Sequence, residues 1–324
     1  MNKLTKLPKE DFLKIKNWIY RNARPLDIAR WKYHFENGNR EDIIIALSAY
    51  QNDDGGFGNT VEADSWNPNS SPFSTSTVIG ILEEIGFHEQ NHPLIKGILR
   101  YLDNTPEFTG KYWPAVIRSN NDYPHAPWWS FSANFEAEWG YTPTAKLAGF
   151  ILRFADRGTA IYNKAATIAK EAIDKYLNGV TPDGKPYRSV PREAEVECFL
   201  YLLNSIIEIN AMELGNTSEL EKALREQAGM FIEKDTSKWN GYCWKPSAFI
   251  NSPNSIFYKG NEEVMAAELD FILNNRNQDG VWNIPWNWGA YEREFAISEN
   301  WWKATKGIEY LLLLKNFNRL EVNN

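Results

Sequence analysis

The sequence predicts an all-α fold, one closed helical domain over residues 1–324, and three observations carry that prediction. Apolar residues recur at the 3.6-residue spacing of a helix along most of the chain. Several periodic segments open with a capping residue followed by proline, a helix-start signature. Between them lie turns rich in glycine and aromatics, and no alternating run reads as a confident strand.

Taken in order, Phe12, Ile15, Trp18 and Ile19 mark an opening amphipathic helix, and Ile43, Leu47 and Tyr50 a second. In SSPFSTSTVIGILEEIG, Ser71 is placed as N-cap, Pro72 at the first helical position and Gly86 after the last turn, with Val78, Ile81, Leu82 and Ile85 as the apolar stripe. NHPLIKGILRYL repeats the cap-and-proline entry at His92 and Pro93. Further helices are predicted over 142–157, 160–178, 192–210, 218–234, 261–275 and 298–315.

The turns DDGGFG, FTGKYW, TPDGKPY, WNGYCW and NQDGVW recur at irregular intervals of about 40 to 75 residues, as in a degenerate helix-pair repeat. Helix pairs that cannot bury their apolar faces alone must stack or close into a ring. Two turns are closely alike: QNDDGGF has Gln51, Gly55 and Phe57, and RNQDGVW has Arg276, Gly280 and Trp282 at the same spacing. Both resemble the QW repeat of the squalene and oxidosqualene cyclase superfamily, with Phe57 where Trp is usual and Arg276 replacing Gln. That superfamily includes class II diterpene cyclases and the β subunits of protein prenyltransferases. The resemblance implies a single-domain α/α toroid, a double-ringed helical barrel of about ten to twelve helices, with the repeats as structural clamps. Similar Asp-Gly-aromatic turns occur in α/α-barrel polysaccharide lyases, so the motif speaks to architecture before chemistry. In physical terms, Gln51 or Arg276 can bond the orphan carbonyls of a helix end, and the aromatic can cover the joint.

The family's chemical motifs are missing. The DxDD acid of its protonating cyclases has no counterpart in SSPFSTSTVIGIL, and neither Cys198 nor Cys243 has the Asp two residues before it that zinc-binding prenyltransferases use. The histidines His34, His88, His92 and His125 show no ligand spacing, so neither metal nor cofactor is expected. Asp53 and Asp54 read as turn residues.

Three acidic constellations remain. Glu62 and Asp64, in VEADSW before Trp66, would point the same way only in an extended loop, where they could act as a paired acid and base. The long irregular stretch DYPHAPWWSFSANFEAEWGYTPTA gathers His125 as a possible general base, Trp128 and Trp129 as a platform, and Glu136 and Glu138. In REAEVEC, Glu193 and Glu197 share a helix face that Glu195 does not, and a charged face is usually solvated. Trp286 and Trp288 could add aromatic lining from WNIPWNWGAYEREF, or simply pack. Glu62, Asp64 and His125 are thus the expected catalytic residues, and Trp66, Trp128, Trp129, Glu136, Trp286 and Trp288 the expected substrate contacts.

The 14 tryptophans suit a thick core, a sugar platform or a cation-stabilising cavity alike. A net charge of −7 with no basic stripe argues against nucleic acid. No run of about 20 apolar residues is present to span a bilayer. The polar N-terminus and two distant cysteines make a cytoplasmic protein the expectation. The expected function is a terpenoid-cyclase-like enzyme on an isoprenoid substrate. A carbohydrate-active α/α barrel, lyase or hydrolase, acting on an oligosaccharide is the alternative, and a non-catalytic binding protein that kept the toroid is a third.

Overall fold

The computed structural model describes residues 5–321, and among them the fold is all-α, with twelve α-helices and no named strand. They are α1 (Lys9–Asn22), α2 (Pro25–Phe35), α3 (Arg40–Ser48), α4 (Pro72–Glu84), α5 (Pro93–Asn104), α6 (Phe135–Trp139), α7 (Thr144–Phe154), α8 (Ala160–Asn178), α9 (Glu193–Glu208), α10 (Thr217–Phe231), α11 (Glu262–Asn274) and α12 (Glu292–Asn316). None is long and apolar enough to cross a membrane.

The signals read from the sequence act as read at several helix entries. Ser71 accepts a hydrogen bond from the Ser74 amide at the head of α4, and His92 Nδ1 accepts one from Leu94 at the head of α5. The α2 helix carried no flagged periodicity; it starts on Pro25 at its first position, where proline's missing N–H costs nothing. The α12 helix begins six residues before the predicted 298, because Glu292 and Glu294 place negative charge on its positive N-terminal end.

The described chain divides into two compact units, one running to Ala49 and resuming at Phe231, the other Tyr50–Met230. In the first, α12 packs against α1 and α2. Leu7 and Leu320 pair through their backbones, so the two ends of the described chain are joined there. Arg24 and Arg30 both reach the fully buried Asp27, at 2.8 and 3.4 Å. In the second unit α7 is the central element. Its Ala145, Leu147, Ala148, Phe150 and Ile151 are all buried, apolar nearly all round as an interior helix must be, and it packs on α4, α5, α8 and α9.

One hairpin recurs three times. Asn52 N–H bonds Gly56 O and Gly55 N–H bonds Asn52 O; Thr181 with Lys185 and Gly184, and Asn277 with Val281 and Gly280, repeat both bonds at 2.7 to 2.9 Å. Each places a glycine at positive φ, +93°, +80° and +88° for Gly55, Gly184 and Gly280. The aromatic then seals the joint: Trp282 Nε1 donates to Ile272 O of α11 at 2.8 Å, and Trp113 Nε1 donates likewise to Leu102 O of α5 at 3.1 Å. Gln51 departs from its expected role. Its amide turns back on Gly55 O at 3.0 Å and across to Leu94 O at 3.4 Å, tying the hairpin to α5 and not to the helix it follows. Arg276 likewise goes to the Asp11 carboxylate of α1 at 2.7 Å, since a guanidinium prefers a carboxylate to a carbonyl.

The hairpins differ in how tightly they are packed. A Cβ on Gly55 would lie 2.1 Å from Gly97 O in α5, whereas one on Gly184 would meet nothing within 4 Å. Gly184→Ala is therefore expected to lose about 1 kcal/mol from backbone strain alone. Gly55→Ala, with strain plus a backbone collision, is expected to lose at least about 2 kcal/mol more. Urea melts of both variants check this, and equal losses would contradict it.

Candidate functional site

The loop after the first hairpin carries the expected acids. Residues 62–65 form a turn closed by Ser65 N–H on Glu62 O at 3.1 Å, and the Asp64 amide also donates to Glu62 Oε1 at 3.3 Å. The carboxyls therefore do not sit in the extended segment that the paired-carboxylate reading required; the Glu62 side chain is used in closing the turn. Both are buried, Asp64 only 3% exposed and Glu62 7%.

Beyond the turn the chain straightens and pairs with the second expected segment. Trp66 N–H bonds Pro124 O and Ala126 N–H bonds Asp64 O, both at 2.9 Å, which sets Ser65 directly opposite His125. Two stretches about sixty residues apart in sequence are thus one short antiparallel pair. In such a pair directly opposed residues share a face, which sets the His125 ring beside Ser65.

His125 is instead engaged at both nitrogens within its own loop, with Nδ1 2.6 Å from Tyr123 O and Nε2 3.0 Å from Ser130 Oγ. Trp128, 40% exposed, presents its ring to solvent. Trp129 is buried, stacked on Trp139 at 5.1 Å with Phe73 at 4.2 Å, so it is core and not an open platform. Trp66 is half-buried, and Glu136 is exposed on the short α6. Trp286 and Trp288 belong to the other unit, where Trp286 packs edge-on against Trp302 at 5.4 Å and Trp288 lies 5.7 Å from Phe295. The segment therefore gathers Glu62, Asp64, Trp66, His125, Trp128 and Trp129 onto two joined loops.

Glu195, which face-counting sets apart from Glu193 and Glu197, is the buried acid of the three. It is only 3% exposed, with Oε1 taking the Tyr141 amide at 2.6 Å and the Tyr187 hydroxyl at 2.5 Å. Arg192 lies 3.9 Å from its other oxygen and stacks on the Tyr187 ring at 4.6 Å. Burial pushes the carboxyl up from 4.5 to about 6, against the opposing pull of the Tyr187 and Tyr141 bonds and Arg192. The same burial raises the phenols of Tyr141, Tyr176 and Tyr187, which remain protonated. The α7 helix packs on α9, where Glu195 is buried, while Glu197, on the charged face that Glu195 does not share, is exposed and reaches the buried Lys146 at 2.8 Å.

A surface concavity of about 810 Å³ lies beside the first hairpin, bordered by Asn52, Asp54, Asn59, Ser70, Tyr101 and Glu107. Its wall is polar, and burial raises the Glu107 carboxyl. Asp54 accepts from Gly56 N–H and Ser70 Oγ, the turn role expected of it. No protein-family model, curated protein or solved structure matches the chain.

The raised Glu195 carboxyl has a signed consequence. Below about pH 4.5 both folded and unfolded chains hold the proton and the group is neutral to stability. Between about 4.5 and 6 the unfolded chain releases it first, so this group lowers stability as pH rises, by about 2 kcal/mol in all, and the loss persists above 6. Glu195→Gln keeps an oxygen for Tyr141 and removes the titration. The stability difference between wild type and variant, from urea melts, is expected to move in favour of the variant across that window and to be flat outside it.

Proposed function

We propose that the chain is a terpenoid-cyclase-like enzyme that transforms an isoprenoid substrate, with an acid from the 62–64 turn starting the reaction. The observation that carries this reading is the burial of both Asp64 and Glu62 on a loop joined to an aromatic-rich one. Protonating a carbon–carbon double bond needs a carboxylic acid sheltered from water, and the resulting cation needs aromatic faces around it. Trp66 adjoins the acids in sequence, and the cluster of Phe73, Trp129 and Trp139 belongs to the same unit. The recurrent hairpins, with Gln51 and Arg276 as ties between helices, are consistent with the cyclase-superfamily resemblance of their sequences.

A second reading, an oligosaccharide-acting protein, is favoured by the amides and carboxylates along the concavity, which suit sugar hydroxyls better than hydrocarbon. The two separate by experiment. Incubation with a panel of linear isoprenoids, followed by mass spectrometry of the extract, is expected to give a cyclised product. Asp64→Asn should then cut turnover at least about 100-fold, the scale of a lost general acid. Absence of product with every isoprenoid, together with oligosaccharide-induced shifts at Asn59 and Ser70 by NMR, would transfer the assignment to the polar concavity.

A further inference from the structure

His125 and Ser130 are held in a relation that neither loop packing nor the isoprenoid reading requires. Tyr123 O can only accept a hydrogen bond, so its 2.6 Å contact places the imidazole proton on Nδ1. Nε2 is then the lone-pair nitrogen, and at 3.0 Å it accepts the hydroxyl proton of Ser130. The ring is buried while Ser130 is an exposed residue, so the base is shielded and the serine lies at the surface. We infer that Ser130 is a nucleophile activated by His125, for acyl transfer from a small carboxylic ester with an apolar acyl group.

Rigidity supports this over a chance contact. The backbone is pinned on both sides of Ser130 by consecutive asparagines: Asn120 Nδ2 donates to Trp129 O, and Phe131 N–H donates to Asn121 Oδ1, each at 2.9 Å. His125 is fixed independently, through the backbone pairing of its neighbours Pro124 and Ala126 with Trp66 and Asp64. Nucleophile and base therefore have separate supports, and a third group, the Tyr123 carbonyl, orients the base as a carboxylate does in a triad. The exposed Trp128 ring, two residues before Ser130, offers an apolar shelf for the acyl chain. Arg118 lies 4.7 Å over the ring of Phe131, the residue after Ser130, and brings positive charge to the same surface for the oxyanion.

In the first half-reaction Ser130 Oγ bonds to the acyl carbon and its proton passes to His125 Nε2. The ester C–O bond breaks and the alcohol leaves with that proton. Water then attacks the acyl-serine, giving a proton to Nε2, and the carboxylic acid leaves as Ser130 takes the proton back. No other reactant is needed.

The test is reaction of the full chain with an alkyl fluorophosphonate, read by intact mass and peptide mapping, alongside hydrolysis of p-nitrophenyl butyrate. The expected result is one adduct per chain on Ser130, none in Ser130→Ala, and at least about 100-fold slower labelling in His125→Gln, the lower end of a general base's contribution. No adduct, an adduct on another residue, or labelling indifferent to His125 in a variant whose urea midpoint shows it folded would each overturn the inference. The site of the wild-type adduct decides the matter even if His125→Gln fails to fold.

Discussion

The structure depends on helix side chains that hold the amide protons of loops laid down before them. On α4, Thr75 Oγ1 accepts the Phe57 N–H; on α7, Thr144 Oγ1 accepts the Trp113 N–H; on α9, Glu195 accepts that of Tyr141; on α11, Glu268 accepts that of Ser247. All four acceptors are buried and sit within the first two turns of their helices. A helical protein with long connections must bury some loop backbone, and each orphaned N–H would cost about 1 to 3 kcal/mol. These side chains remove that cost and fix the loop to the helix in the same step. The acids among them carry a penalty of their own: burial raises both Glu195 and Glu268, so each trades charge solvation for a held loop.

Loops anchored in this way can carry chemistry that free loops cannot. Phe57, held by Thr75, fixes where the 58–70 connection begins, and Ser71, whose N–H returns to Phe57 O at 3.0 Å, fixes where it ends. Within those limits the Glu62–Trp66 segment meets the Pro124–Ala126 segment in only one register, the one set by the Ser65–His125 pair. The irregular stretch after Asp122 is consequently not a loose lid at its start, since Asn67 binds both Ser119 and Asn120 at 2.9 Å and braces it against the earlier loop. Backbone pairing and asparagine braces thus fix where the candidate acids and His125 lie.

How much of this the sequence disclosed varies with the range of the interaction. Helices and caps are local, so Ser71, Pro72 and His92 could be read directly, and the Gly55, Gly184 and Gly280 turns share a hairpin visible in their spacing. The partners of Gln51 and Arg276 were not legible, because Leu94 and Asp11 are 43 and 265 residues away. For Glu195 the helix wheel separates it from Glu193 and Glu197 but does not show that α7 packs on α9 there or which groups meet the carboxyl. A cue was present in retrospect, since Tyr187 and Arg192 flank it within one connection, a donor-rich setting for a carboxylate about to be buried. The segments holding Glu62, Asp64 and His125 are dense in polar groups and aromatics, which the sequence displays directly. Their antiparallel pairing needed the three-dimensional register.

The second unit thus sorts its polar groups into three physically different kinds. Glu195, fully used by its neighbours, holds architecture. The residues around the concavity, such as Asn52 and Ser70, mostly bond one another at about 3.0 Å, so a ligand there must compete with an existing network. Ser130 differs from both: its hydroxyl proton is directed at His125, yet the residue is exposed and its oxygen retains lone pairs. A group that is positioned by the fold but not consumed by it is what reactivity requires, and burial alone does not distinguish such a group from a clamp. Among the hydroxyls of this unit, Thr75 and Thr144 are the contrast, each both donating and accepting against backbone and closed off from any substrate.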